Sequence, residues 1–400
     1  MDIITMKKFF IFFLLMLSLS ATSQNKDTLI LIYKFYNNAP IKNITYRKQF
    51  KADLSSLPLP NDTSLYKLIS HNPPVCQGNT GTCWCFAATS FFESEIYRLS
   101  GKKIKLSEMY FVYWEYVERA IDFVHTHGKT YINEGSEASA LIRLFQKYGA
   151  VPLSSYEGKP NFRTFHSHRA LINELQQFLN EVKKRAIWDE AYIVGTVKSL
   201  LNAEMGVPPE KFIYEGKEYS PLSFFNDYLK IKPVGYFRFM STEYFPFNEK
   251  YELIEDDNWW HDREFYNVSP DTFIMLIHKS LEKKFSVCLC GDVSEAGYDH
   301  NEQKVAVVPL FDIPNSKINK DSRELRLQNN TTTDDHCIHI VGYYENKGKY
   351  WYLIKDSNGN TFDGKFPGYR FYDEDYIKLK MMNILIAGDA ARWYLDRIIK

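Results

Sequence analysis

The 400-residue chain has no surplus of either charge: lysine plus arginine and aspartate plus glutamate number 49 each, a formal net charge of zero. That balance removes the basic footprint by which proteins hold nucleic acid or an anionic membrane surface. Apart from Phe9–Leu17 there is no long apolar run, and nothing later approaches the ~20 residues that cross a bilayer. Internal repeats and low-complexity tracts are missing too. Cysteine is sparse, at six residues: Cys76, Cys83, Cys85, Cys288, Cys290 and Cys337. The pairs Cys83/Cys85 and Cys288/Cys290 are too close in sequence for a stapled framework, and a chain of this length builds a core without staples. Free, buried or reactive thiols are therefore expected.

What is present is ordinary for a soluble globular protein, with 45% hydrophobic and 24% charged residues. The aromatic share, 16%, is high but has no functional meaning by itself. Residues 1–23 read as a secretory signal peptide: Lys7 and Lys8, then Phe9–Leu17, then small and polar residues with cleavage after Ala21 or Ser23. About ten apolar residues are too few for a membrane anchor. Export to a periplasmic or extracellular location follows, with no membrane association once the signal is removed.

Residues 24–70, with β-type sequence and Pro40, Pro58 and Pro60, form an N-terminal arm or a pro-segment. Helical spacing predicts three helices between Cys83 and Gly149. The first runs to Ser100 with Gly101 as its stop, the second is capped by Ser107, and the third runs from about Ser136 to Gly149. Together they make a helical lobe over 71–160. Residues 161–267 read as an insertion, partly helical from His168 to Lys184. Ser269-Pro270 caps a further helix, after which β signals dominate over 268–389. Strands are predicted at 285–290, 337–344, 349–355 and 382–386, the middle two joined by a turn longer than two residues. An amphipathic tail, 390–400, closes the chain. Helices first and a sheet afterwards predict an α+β protein.

The chemistry concentrates in Gln77-Gly78-Asn79-Thr80-Gly81-Thr82-Cys83-Trp84. A cysteine attacks a carbonyl as its thiolate. Cys83 sits where a glycine-punctuated loop enters a helix, whose unpaired N–H groups and dipole favour negative sulfur. With the Cys83 backbone N–H, the Gln77 amide would supply a two-donor oxyanion hole, each donor contributing about 3 kcal/mol. The base must be an imidazole, and Asp334-Asp335-His336-Cys337-Ile338-His339 offers two. Residues three apart on a strand face opposite ways, so His336 and His339 cannot both meet Cys83. Hairpin geometry alone leaves the choice open, because it depends on where the following turn is centred.

The octapeptide resembles the nucleophile motif of papain-like cysteine peptidases. Cys83-Trp84-Cys85-Phe86-Ala87, Leu106-Ser107-Glu108-Met109, Tyr266-Asn267-Val268 and Gly291-Asp292-Val293-Ser294 resemble the bleomycin hydrolase and aminopeptidase C branch. The resemblance spans roughly residues 72–386 and implies a papain-like two-lobe fold, with Cys83 on the helical lobe and His336 on the β lobe. It selects His336 as base, six residues before Gly342, and leaves His339 as a packed or hydrogen-bonded histidine. Where the family has Asn-Ser-Trp-Gly, this chain has Asp356-Ser357-Asn358-Gly359. Aspartate can orient an imidazole, as in a Cys-His-Asp triad, and its charge would raise the histidine pKa. Without the tryptophan that hydrogen bond is expected to be wetter. Gly135 and Trp84 are the substrate-binding candidates carried over, with Glu134 in place of a second glycine. The resemblance further implies peptide substrates, aminopeptidase activity, no organic cofactor or metal, and a homo-oligomer, hexameric among the relatives. In that branch the chain end enters the cleft; here the tail could do so or pack elsewhere.

Two other readings compete. A catalytically inactive papain-fold module would bind peptides or act as a scaffold. A metal site would draw on Cys83, Cys85, Cys288, Cys290, Cys337, His336 and His339, although two Cys-x-Cys pairs fit zinc spacing poorly.

Overall fold

The computed structural model describes residues 28–37, 44–55, 57–160, 162–300 and 302–399, with side chains from Lys51 onward. The signal-peptide segment, and with it the inference of export, lies outside the described residues. The arm begins as an antiparallel hairpin, β1 (Thr28–Asn37) and β2 (Ile44–Asp53). It is tied to the rest by the Ala52 N–H on the Ala296 carbonyl and by Lys51 on Asp299.

Three helices follow: α1 (Cys83–Ser100), α2 (Glu108–His125) and α3 (Ala140–Tyr148). The first ends on Gly101, whose φ of 71° is one glycine adopts without strain. Ser107 caps α2 by accepting from the Tyr110 N–H. The third starts four residues later than its spacing predicts, since Ser136 to Ser139 make tertiary bonds instead. Ser136 donates to Glu115 and Ser139 to Asp262.

Residues 161–267 divide between the lobes. Helices α4 (Arg169–Lys184) and α5 (Glu190–Met205) pack into the helical core through Leu171, Leu175, Ile193 and Val197. Strands β3 (Tyr236–Met240) and β4 (Phe265–Asn267) instead join the main sheet. Next come α6 (Pro270–Glu282), β5 (Val287–Gly291), α7 (Lys320–Gln328), β6 (His336–Asn346), β7 (Lys349–Lys355), β8 (Tyr369–Asp373), α8 (Glu374–Lys380), β9 (Met381–Ala387) and α9 (Gly388–Ile398).

The sheet has ten strands among the described residues, running β8-β7-β6-β5-β9-β3-β4 through its middle. Its two faces are read by alternation. Cys288 and Cys290 of β5 pack with α1 to α3, whereas Val287 and Leu289 pack with α6 and α9. Fully buried Phe91, Phe92, Phe111 and Phe145 anchor the first core, each contributing roughly 1.5–3 kcal/mol. The β6–β7 turn is shorter than predicted: Asn346 pairs with Lys349, leaving only Lys347 and Gly348, both with positive φ. Such a two-residue turn matches the twist of the strands it joins. The tail packs on the sheet face opposite the α1–α3 core, with Ala391, Tyr394 and Leu395 of α9 buried against Phe273 and Ile277, and it borders only the far end of α1, at Glu95, Arg98 and Leu99. No described helix is long and apolar enough to cross a membrane.

One expectation is overturned. Cys290 and Cys337 form a disulfide. The reason is register: they face each other directly on β5 and β6, with Cα atoms 4.1 Å apart. Cys76, Cys83, Cys85 and Cys288 stay free.

Candidate active site

Cys83 is the first residue of α1, the turn in which a helix leaves its N–H groups unpaired. The loop before it is stitched to the opposite lobe. The Gln77 N–H donates to the Ser357 carbonyl at 2.9 Å, and the Ser357 hydroxyl donates to Gln77 Oε1 at 2.6 Å. With its oxygen held there, the Gln77 amide must present its NH2 the other way, where it meets the Thr80 carbonyl. Gly78, at a φ of 69°, is needed for close approach: a Cβ there would lie 2.4 Å from the His166 carbonyl oxygen. Glu134 closes the other side by accepting from the Gly81 N–H.

His336 is the first residue of β6, and its ring lies near enough to Cys83 for the sulfur to favour its cationic form. Its Nε2 lies 2.8 Å from Asp356 Oδ1, which leaves Nδ1 for the sulfur. The hairpin register pairs His339 with Lys355, with a bulge after Ile340; Asp356, just beyond the end of β7, reaches back to His336. His339 is fully buried two turns down α1, its Nδ1 2.8 Å from Ser90 Oγ. Only one of the two imidazoles meets Cys83, as strand parity requires.

Asp356 is the most heavily bonded carboxylate of the site. Besides His336 it accepts from the Asn358 N–H (3.0 Å), Thr361 Oγ1 (2.9 Å) and Arg370 Nε (2.9 Å). Burial works against its charge, but His336, Arg370 and the Asn358 N–H outweigh that and hold it far below the usual carboxylate range. For His336, burial alone would lower the pKa; the Asp356 charge and the Cys83 sulfur overcome it and hold the imidazole well above 6.5. The expected wetness is not found. Asp356 is 1% exposed and His336 6%, because Tyr298, Thr361 and Arg370 enclose the carboxylate. Arg370, on β8, is the residue that sequence reasoning missed. Nothing in its surroundings in the chain marks it, and only the β7–β8 pairing brings it beside Asp356.

The candidate substrate residues behave differently from expectation. Trp84 is 1% exposed and lines no cleft. Its indole N–H donates to the Glu134 carbonyl at 3.0 Å, so it holds the Glu134-Gly135 edge beside the nucleophile. Gly135 does lie along that edge, but its carbonyl already accepts from the buried Arg119 guanidinium. Asp257 stands over it: a Cβ on Gly135 would come within 2.3 Å of both carboxylate oxygens. Beyond Gly135 a cavity of about 1160 Å³ is lined by Arg119, Asn133, residues 252–259 and Asp334. The metal ligand set does not assemble. Among the described residues the only grouping is Glu137 with Cys290 and Cys337, whose sulfurs are bonded to each other.

A thiol at a helix start, a buried imidazole across the lobe boundary and a carboxylate behind it invite comparison with known proteins. Residues 61–389 match the Peptidase C1-like family. The chain belongs to that family. Its fold is the papain-like two-lobe α+β fold, and the family makes it a cysteine peptidase. Among solved structures, PepW from Lactobacillus rhamnosis HN001 is 19% identical, with 85% of each chain covered and a TM-score of 0.69. Digestive procathepsin L 3 of Tenebrio molitor larval midgut is 14% identical, covering 83% of this chain and 72% of its own, with a TM-score of 0.35. No curated protein matches. Against the family motif, the departures at Asp356 and Asn358 fall in the environment of the base and leave the Cys83–His336 contact in place.

Proposed function

We propose that this peptidase is an aminopeptidase working through a Cys83–His336–Asp356 triad. The observation that carries the triad is the imidazole of His336, bonded to Asp356 through Nε2 while its other face meets Cys83. The proton that Cys83 gives up already resides on His336 when sulfur attacks the carbonyl carbon. The resulting oxyanion accepts hydrogen bonds from the Cys83 N–H and the Gln77 amide. As the C–N bond breaks, His336 gives its proton to the departing amine and a thioester remains. Water then enters, His336 removes its proton, and hydrolysis frees the acid and the thiol. Asp356 holds the ring and stabilises its cationic form.

Restriction to the amino end is supported by Gly135. An extended substrate would pair with this edge, yet Arg119 occupies its carbonyl and Asp257 covers it. Little of a peptide can extend on the acyl side of the scissile bond. We also propose export, which the Cys290–Cys337 disulfide supports, since disulfides persist in oxidising compartments.

The test compares free-amine and N-blocked peptides on the unlabelled enzyme, and in a parallel sample measures the rate of iodoacetamide labelling at Cys83. Free-amine substrates should be hydrolysed, Cys83→Ala should abolish turnover with the fold intact, and labelling at His336→Ala should slow. Substantial turnover by Cys83→Ala would overturn the nucleophile assignment.

A further inference from the structure

Glu137 is out of place on ordinary grounds. It is 1% exposed, and its Oε1 has no hydrogen-bond partner. Its other oxygen accepts from Asn383 Nδ2 at 3.2 Å, and the same nitrogen donates to Asp334 Oδ2 at 2.8 Å. One amide thus serves two carboxylates, one from each lobe. The Glu137 carboxylate also lies within 4.8 Å of the Cys290 and Cys337 sulfurs, and Cys337 follows His336. Asp257 over Gly135, Glu255 and Asp334 line the cavity, and Glu137 is buried close enough to Asp257 and Glu255 to feel their charge.

Acidic groups crowd together here, and their mutual repulsion favours keeping protons until a cation arrives. No ion pair joins any of these four carboxylates to a lysine or arginine among the described residues. Arg119 faces Asp257 and pulls on its charge without pairing with it, its two terminal nitrogens being on the Tyr131 and Gly135 carbonyls, and Arg238 is paired with Asp262. Burial, then the neighbouring acids Asp257 and Glu255, push Glu137 up to about 8. Burial, then Asp256 and Asp257, push Glu255 up to about 7. Burial also raises Asp334 and Asp257, the latter against the pull of Arg119. Glu137 Oε1 is buried with no partner, so the site has an acceptor left over for a donor that carries positive charge.

The donor set selects the kind of cation. No three of these carboxylates converge closely enough to chelate one ion, so a group with several directed N–H donors fits better than a metal. The main chain of a substrate is stopped at Gly135, so what arrives here is the start of the peptide. We propose that Asp257, Glu255, Asp334 and Glu137 form the subsite for the free α-ammonium of the substrate. This deepens the aminopeptidase reading and rests on it.

The experiment measures hydrolysis of a free-amine leucyl coumarylamide, its N-acetyl counterpart and an N-blocked arginine peptide. The chains compared are the wild type, Asp257→Asn and Asp334→Asn, with Cys83 labelling by iodoacetamide as the check on an intact site. Each variant is expected to raise KM for the free-amine substrate tenfold or more, with the loss on KM rather than kcat and labelling preserved. Wild-type preference for a free amine that persists undiminished in both variants overturns the subsite alone. Wild-type cleavage of the N-blocked arginine peptide as fast as the free-amine substrate overturns the aminopeptidase reading and the subsite with it. Loss of activity with a chelator, restored by a divalent ion, would show that the carboxylates hold a metal and would overturn the ammonium assignment.

Discussion

Removing the guanidinium of Arg370 would strand a carboxylate that the protein has sealed from water. Arg370 Nε and Asp356 Oδ2 are 2.9 Å apart, with neither side chain exposed. Deleting one partner of such a pair costs about 3–5 kcal/mol, because the remaining charge keeps its desolvation penalty. For a chain of this size Arg370→Met should lower Tm by roughly 4–6 °C. Asparagine at 356 needs no cation, so Asp356→Asn with Arg370→Met should lose less than the two single changes summed, by about 2 kcal/mol or more. Thermal unfolding at neutral pH of the four chains measures this coupling. Strict additivity would refute it.

The same cycle has a kinetic side. Asp356 is held below its unfolded value of about 3.9, so its contribution is present above that value and fades as pH falls through the depressed folded one. His336 is held above 6.5, so its contribution is complete below the unfolded value and fades as pH rises through the raised folded one. Asp356→Asn removes the attraction that raises His336. Activity should be retained, with the alkaline limb of kcat/KM moved to lower pH; an unmoved limb would contradict the orienting role of Asp356.

Gln77→Ala should lower kcat about 100-fold by deleting an oxyanion donor, with KM little changed. Ser357→Ala, which only frees the amide to rotate, should cost roughly tenfold or less, and equal losses in the two would discount the Ser357 clamp. His339→Gln should keep kcat within about threefold while costing roughly 1–2 kcal/mol in thermal unfolding through its lost bond to Ser90. A loss of turnover comparable to that of His336→Ala would reverse the assignment of the two histidines.

The nucleophile and base were legible because local rules govern them. A loop rich in small residues entering a helix marks Cys83, and strand parity allows only one of His336 and His339 to meet it, the choice of His336 coming from the family resemblance. Helix limits were legible wherever a cap is a neighbour in sequence, as at Ser107, Ser269 and Gly101. What stayed hidden depends on pairings between distant strands. The disulfide needs β5 beside β6, and Arg370 needs β8 beside β7; neither neighbour can be read from spacing. The acidic wall was hidden for a further reason, since Glu137, Asp257 and Asp334 come from three separate segments. Residues 161–267 read as one insertion because short strands such as Phe265–Asn267 carry too little pattern to announce a place in the sheet.

Peptidases that depend on a thiol are handled in reducing agents, which keep the attacking sulfur from oxidising. In this chain such a reagent has a second target, one residue along from the general base. A modest dose would revive Cys83, the more accessible sulfur. A larger one would sever the covalent staple between β5 and β6 and let the imidazole wander. Turnover plotted against reductant concentration would therefore climb and then decline, while a Cys290→Val/Cys337→Val chain, with nothing left to cut, would show the climb alone.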